Sequence, residues 1–430
     1  MMNARRVCCL TMLCGWLACQ ALAAEETPPP GTAKPPSTNL FGIKPEGITS
    51  EEMRKALGLL QQAGQVAGRR GSLTFFRWSN TTPPKLTTLG LWGPQVTNEA
   101  FAQIATLPDL ENVSLHETAI DDEGLQALAR LPKLRTLTIA PITRYEKAGF
   151  GPPQWSYPFL SPVPDRPRIT GRGLNSLQKF ATLESLNVLD AKLEPHDLQI
   201  LKAGPKLGSL ALPNAIDAET VTHLRGCHRL SSLTLGHREV TASELTQLAA
   251  WKSLRKLTLV HAQLSNEALQ ALSKLDTVEE LHLEDCGLTD ERLQYLRGSA
   301  KLSQLGLERN EIKGEGLVHV AKLPLKELGL EFNNISDSTL HRLLQLTSLE
   351  TLGLSYCTKI TDAGIQSGQL QRMKGWKELR LRGLKQVTDS SLAELAKFGH
   401  LKHINLRETR VSWENIPKLK ESLPQTDVFK

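Results

Sequence analysis

The sequence predicts an α/β solenoid, a right-handed horseshoe with parallel strands on its concave face and helices on its convex face. Three observations predict it. Leucine-led segments recur about every 24 residues from Leu86 onward. Hydrophobic residues make up 40% of the chain but aromatics only 5%, so the core must be built from aliphatic side chains. Most segments also continue with Ser, Thr or Asp and then a leucine pair at helical spacing. An array of this kind can reach 430 residues without several separate cores, because each unit packs only on its neighbours.

The chain opens with residues 1–23, which read as a signal peptide. Arg5 and Arg6 give a positive start, an apolar run follows, and Ala21-Leu22-Ala23 forms a small-residue cleavage site. The run is short for a spanning helix. Cys19 offers a lipoprotein alternative, with Trp16 a poor fit to the leucine expected before it. The expected location is outside the cytoplasm: periplasmic, extracellular or attached to the cell envelope. Removing the leader leaves 49 basic against 45 acidic side chains, a balance too even to argue for nucleic acid. Residues 24–45 are Pro-rich and read as an extended tether. Residues 46–85 read as an N-terminal cap, with an amphipathic helix over 48–60 and a strand over 72–78.

Residues 86–424 form the solenoid, followed by a tail at 425–430. Its thirteen units begin at Leu86, Leu110, Leu134, Leu183, Leu207, Leu230, Leu254, Val278, Leu302, Leu325, Leu349, Trp376 and Leu401. Within a unit, positions four and six point to one side of a short strand, because strand side chains alternate. Position eleven returns to the core, and the next residue caps a helix, as with Thr97, Asp121, Thr241, Ser265 and Ser412. Pairs such as Leu125/Leu128 and Leu269/Leu272 give that helix its buried face.

Leu302, Leu305, Leu307, Asn310 and Ile312 fill the pattern L-x-x-L-x-L-x-x-N/C-x-L, as do Leu325, Leu328, Leu330, Asn333 and Ile335. Cys286 and Cys357 take the N/C position in their units. The chain thus resembles the leucine-rich repeat family, with ribonuclease-inhibitor-like, cysteine-containing units. The ending 419–429 is similar to the terminal cap of exported bacterial members. The resemblance implies a scaffold that binds a protein or peptide. Cys286 and Cys357 stand three rungs apart, roughly 14 Å, which is too far for a disulfide. Cys227 is placed on the helical side.

Positions five, seven and eight are expected to project from the concave sheet. Position seven carries an acidic run, Glu284, Glu308 and Glu331, with Asp285 beside it, and then a basic run of Arg382 and Arg407 with Arg380 nearby. Like charges on adjacent strands repel, so stability alone would not select the acidic run. The functional reading is a dock for a cationic segment, with an anion patch beyond it. The alternative is a solvated face with chance clustering. Phe332 and Tyr356 at position eight are candidate aromatic anchors.

The step from Leu134 to Leu183 holds an insertion at 140–168, with Tyr145, Trp155 and Tyr157 as candidate contact residues. His237, His261 and Asp285 share position eight on consecutive rungs and form a candidate metal ladder. No catalytic motif is present, no cofactor is expected, and the chain reads as a binding protein, not an enzyme. Any membrane association would come through a lipid anchor or an uncleaved leader. The alternatives are a glycan-binding envelope module, a metal-dependent hydrolase built on the His237 ladder, and a structural envelope protein.

Overall fold

The computed structural model describes residues 73–430 except 80, 82–84, 93–95, 117, 141–168, 181, 190, 204–205, 213–223, 225–226, 228, 237–238 and 374. The leader, the tether, the cap helix and the insertion lie outside the described residues. The chain divides into two compact units, Met1–Pro213 and Asn214–Lys430. Each is a stretch of α/β leucine-rich repeat solenoid.

In the first unit β1 (Leu73–Trp78) runs antiparallel to β2 (Leu86–Trp92) and closes the end of the sheet. β2 is followed by β3 (Asn112–His116), β4 (Thr136–Ala140), β5 (Ser185–Asn187) and β6 (Ser209–Leu212), each parallel to the one before. Position four forms one line across them: Leu89, Val113, Leu137, Leu186 and Leu210, all buried. β4 pairs directly with β5, Leu137 opposite Leu186. The long step between them therefore adds no rung between β4 and β5.

The second unit carries β7 (Ser232–Gly236), β8 (Glu239–Val240), β9 (Lys256–Val260), β10 (Gln263–Leu264) and β11 (Glu280–Glu284). It continues with β12 (Gln304–Gly306), β13 (Glu327–Gly329), β14 (Thr351–Gly353), β15 (Glu378–Arg380), β16 (His403–Asn405) and β17 (Asp427–Phe429). β8 and β10 make a small ladder of their own. The other strands pair in parallel at one register, Leu233 through Leu257, Leu281, Leu305, Leu328, Leu352, Leu379 and Ile404 to Val428. Here the sequence expectation needs correction. Residues 425–430 are no loose tail, because Val428 packs as the last rung.

The helical side also departs from one α-helix per unit. Asn98–Ile104, Asp122–Leu128, Ala242–Leu248 and Asn266–Leu272 are two-turn α-helices. From Glu291 the segments are mainly 3-10 turns, at Glu291–Leu296, Glu315–His319 and Asp337–Gln345. A 3-10 turn rises about 2.0 Å per residue against 1.5 Å for an α-helix, so it covers the same depth with fewer residues. Gly316 permits the tighter packing: a Cβ there would overlap the Asp290 backbone.

Two side-chain ladders join neighbouring repeats within these units. Asn310 Nδ2 donates back to Leu283 O at 2.7 Å, while its Oδ1 accepts from Cys286 N and Leu288 N, each at 3.0 Å. Asn333 Nδ2 reaches Leu307 O in the same way at 2.7 Å. Cys357 Sγ takes over this reach at Leu330 O, 3.1 Å away, and Cys286 Sγ at Leu259 O, 3.6 Å away. The two cysteines thus fill the inward turn position as expected. Burial pushes both thiols up to about 12, which keeps them unreactive.

The second ladder was not anticipated. Asp121, Thr170, Thr241, Ser265, Thr361 and Thr388 cap their own helices, while Thr97 and Ser412 occupy the position without making that bond. The aspartate after a cap reaches sideways instead. Asp337 accepts from Thr361 N at 2.9 Å and Oγ1 at 2.7 Å, Asp362 from Thr388 N at 2.8 Å and Oγ1 at 2.6 Å, and Asp122 from Thr170 N at 2.8 Å and Oγ1 at 2.7 Å. Each of these three repeats thereby holds the cap of the next.

Candidate functional site

Position eight proves to be a turn, not a strand position. His261, Asp285, Arg309, Phe332, Tyr356 and Glu408 all adopt φ between 50° and 62°, and Gly383 stands at 75°. This left-handed step is unfavourable for residues with a Cβ. It aims each backbone N–H at the position-seven carbonyl of the next unit: Asp285 N to Glu308 O at 3.0 Å, Arg309 N to Glu331 O at 2.9 Å, Phe332 N to Ser355 O at 3.0 Å. Interstrand bonding therefore continues past the strand ends. From β12 onward the strands stop at position five, so position seven lies in the turn as well.

The acidic run does not stand out into solvent. Position five is glycine in three consecutive units: Gly306, Gly329 and Gly353. A Cβ on Gly329 would overlap Glu308 Oε1 and come within 3.1 Å of Glu331 Oε2. A Cβ on Gly353 would overlap Glu331 Oε1, and one on Gly306 would overlap His282 Nδ1 and come within 2.7 Å of Glu308 Oε2. The carboxylates thus lie folded onto a glycine floor. Glu284 keeps 12% of its side chain exposed and Glu331 14%.

Removal from water penalises the charged form. Burial pushes the Glu284 carboxyl up to about 7 despite Arg309 Nε at 3.3 Å. Burial, with Glu331 adding to it, pushes Glu308 up to about 8. Glu331 is raised by burial too, against the opposing pull of Arg380. His282, at position five beside this file, is driven down to about 4 by burial and then by Lys256, so its imidazole is neutral.

The basic run is spent internally. Arg380 meets Glu378 at 2.7 Å, Glu327 at 3.1 Å and Glu331 at 3.8 Å. Burial lowers its affinity for a proton, but these carboxylates outweigh it and the net shift is upward. Arg382 donates to Glu408, which also accepts from Tyr356 OH at 2.9 Å. Arg407 lies 5.6 Å over the Phe429 ring. The two aromatic candidates stack on each other with centroids 4.5 Å apart, under Arg309 at 4.3 Å from Phe332 and Arg382 at 5.9 Å from Tyr356. Both are half-buried, so they present edges and not whole faces.

Asp285 pairs with His261 Nδ1 at 2.7 Å on the neighbouring unit. His237, the third member of the metal ladder, lies outside the described residues, as do Tyr145, Trp155 and Tyr157. Among the described residues no group of three His, Cys, Asp or Glu side chains is arranged to hold a metal ion. No helix among them is long and apolar enough to cross a membrane.

Sequence reasoning found the acidic column but missed its floor. The signal was the repeated Leu-Gly-Leu at 305–307, 328–330 and 352–354. It also missed Glu327, Glu378 and Glu408, which absorb the arginines.

A family model described as Leucine Rich repeat matches residues 345–367, about one unit. No curated protein matches the chain. Among solved structures, an internalin from Listeria monocytogenes is similar at 20% identity, covering 86% of this chain and 94% of its own, with a TM-score of 0.44. The TLR13–ssRNA13 complex is similar at 18% identity, over 80% of this chain and 52% of the other, with a TM-score of 0.45. A leucine-rich repeat protein of Leptospira interrogans is similar at 18% identity, over 80% and 90%, with a TM-score of 0.38.

Proposed function

We propose that the chain is an exported binding protein, without catalytic activity, that recognises a protein or peptide partner. Recognition uses the sheet face around Glu284, Glu308 and Glu331 together with the 140–168 insertion. One observation carries the reading: three glutamates crowd one column with a single arginine at each end. Arg309 serves Glu284, and Arg380 is shared among Glu327, Glu331 and Glu378. Glu308 enters no ion pair among the described residues. Such a column costs folding energy, which a cationic segment of a partner would recover on binding. The leader at 1–23 supports export.

A similar fold has been solved with an RNA, in the TLR13 complex. The acidic face argues for a protein partner instead, since nucleic-acid binding is carried by cations that neutralise phosphates.

Capture from envelope extract tests the reading. The Glu284→Gln/Glu308→Gln/Glu331→Gln chain keeps the side-chain shapes and is expected to fold by circular dichroism and lose the partner. Trp155→Ala/Tyr157→Ala is expected to weaken capture. Capture by the glutamine variant equal to wild type would remove the column from the binding surface.

A further inference from the structure

Two of the buried acids meet over one glycine. Gly306, Gly329 and Gly353 sit opposite one another on β12, β13 and β14. A Cβ on Gly329 would overlap Glu308 Oε1 and stand 3.1 Å from Glu331 Oε2, so oxygens from adjacent repeats converge on one point of the floor. Glu331 divides its two oxygens. Oε1 faces Arg380 Nη1 at 3.8 Å. Oε2 is closed to solvent, and no N–H or hydroxyl reaches it. Two carboxylates that share a site do not both ionise readily. A proton on Glu308 answers both features. It removes one of the two charges, and it turns Glu308 into a donor for the acceptor that Glu331 Oε2 leaves open.

We propose that Glu308 and Glu331 hold one proton between them, and that this bridge is a pH-sensitive latch that closes the acidic column onto its glycine floor. The hydroxyl of protonated Glu308 donates to Glu331 Oε2. Arg380 faces the other oxygen and favours leaving the remaining negative charge on Glu331. The bridge ties the repeat of β12 to the repeat of β13 at position seven. It lies beside the backbone bonds from Arg309 N to Glu331 O at 2.9 Å and from Phe332 N to Ser355 O at 3.0 Å. Glycine is needed beneath it, because any Cβ on Gly329 would take the meeting point. The latch regulates partner binding only on the reading that the column is the docking surface; the bridge itself does not depend on that reading.

The groups around the pair set when the proton leaves. Burial raises Glu308, Glu331 and then Glu284 add to it, and its own backbone N–H and Arg380 oppose, with the balance at about 8. Burial also raises Glu331, Glu327 and Glu378 add to it, and Arg380 and its own backbone N–H oppose. Arg309 pairs with Glu284, and neutral His282 faces Glu308 across Gly306. Below about pH 8 the proton is held and the latch is closed. As the pH rises through that value the proton passes to solvent, and two carboxylates are left facing each other over Gly329. Their repulsion lifts Glu308 off the floor, where it can meet a cationic partner.

Infrared difference spectra of the full chain, stepped from pH 5.5 to 9.5, test the bridge. A protonated carboxyl shows a carbonyl stretch that the ionised form lacks. The expected result is such a band that persists above pH 7 and disappears around pH 8. Glu308→Gln is expected to remove it, whereas Glu350→Gln, on a carboxylate held by Lys326 and Lys377, leaves it intact. Amide hydrogen exchange tests the latch. Relative to the intrinsic rate, the Arg309 and Phe332 amides are expected to exchange at least fivefold faster at pH 9.5 than at pH 6.5. In Glu308→Gln, whose side-chain amide donates to Glu331 at every pH, the two rates are expected to be equal. Absence of the band above pH 7, or an identical band in Glu308→Gln, overturns the proposal, as does wild-type exchange indifferent to pH. Each of those results leaves the docking surface standing. Normal capture of the partner by the triple glutamine chain instead removes the docking surface and the regulatory role of the latch, while the infrared band still decides the bridge.

Discussion

The units around β11 to β13 and those around β15 and β16 share one repeat but treat charge in opposite ways. In the first group position five is His282 or glycine and position seven is glutamate, so carboxylates settle against bare backbone. In the second group Arg380 and Arg382 occupy those positions and nearby acids hold them in ion pairs. One region buries carboxyls that burial keeps protonated, and the other pairs its arginines with nearby acids. A binding surface is expected where the fold leaves acids without cations, not where charged residues are simply dense.

Arg380→Met should break the comparison most strongly. It frees Glu327, Glu331 and Glu378 together and should cost about 1–3 kcal/mol in urea unfolding at pH 7.5, discounted for the third of the arginine that meets solvent. A loss no larger than that of a surface arginine would mean that the second region is not self-neutralised.

Glu308→Gln sharpens the comparison in the other direction. A carboxyl whose folded pKa, about 8, stands above its ordinary 4.5 favours the fold in its protonated form. That contribution is full below pH 4.5 and is lost as pH rises toward 8. The variant should therefore match wild type at pH 4.5 and be the more stable chain at pH 8.5, read as a flatter melting-temperature profile. Parallel profiles would mean that the ladder carries no trapped proton.

Glu408→Gln should have the smallest effect. It removes the charged acceptor of Arg382 and Tyr356 OH and should cost about 1 kcal/mol, with near-ultraviolet dichroism reporting a loosened Phe332–Tyr356 stack. An unchanged spectrum would show that the stack stands without the ion pair.

The sequence was most informative where the repeat speaks for itself. Leu305 and Leu328 had to face one core because their spacing repeats, and Asn310 and Cys357 had to share one inward position. The direct pairing of β4 with β5 across the long step before Leu183 follows from the same period. The site was half legible. Glu284, Glu308 and Glu331 could be placed in a column from the period alone, but their posture could not.

What the sequence determined by itself is everything set by alternation and period: the strand register, the buried leucines and the turn position of the cysteines. What only the tertiary structure decided is how neighbouring columns meet. Glu308 lies on Gly329 and Asp362 caps Thr388 across two units, and Arg380 reaches Glu327 across three. Such partners are some 20 to 50 residues apart in the chain, yet lie on adjacent or next-adjacent rungs about 4.8 Å apart. The left-handed step at position eight, invisible to period counting, sets which of them touch.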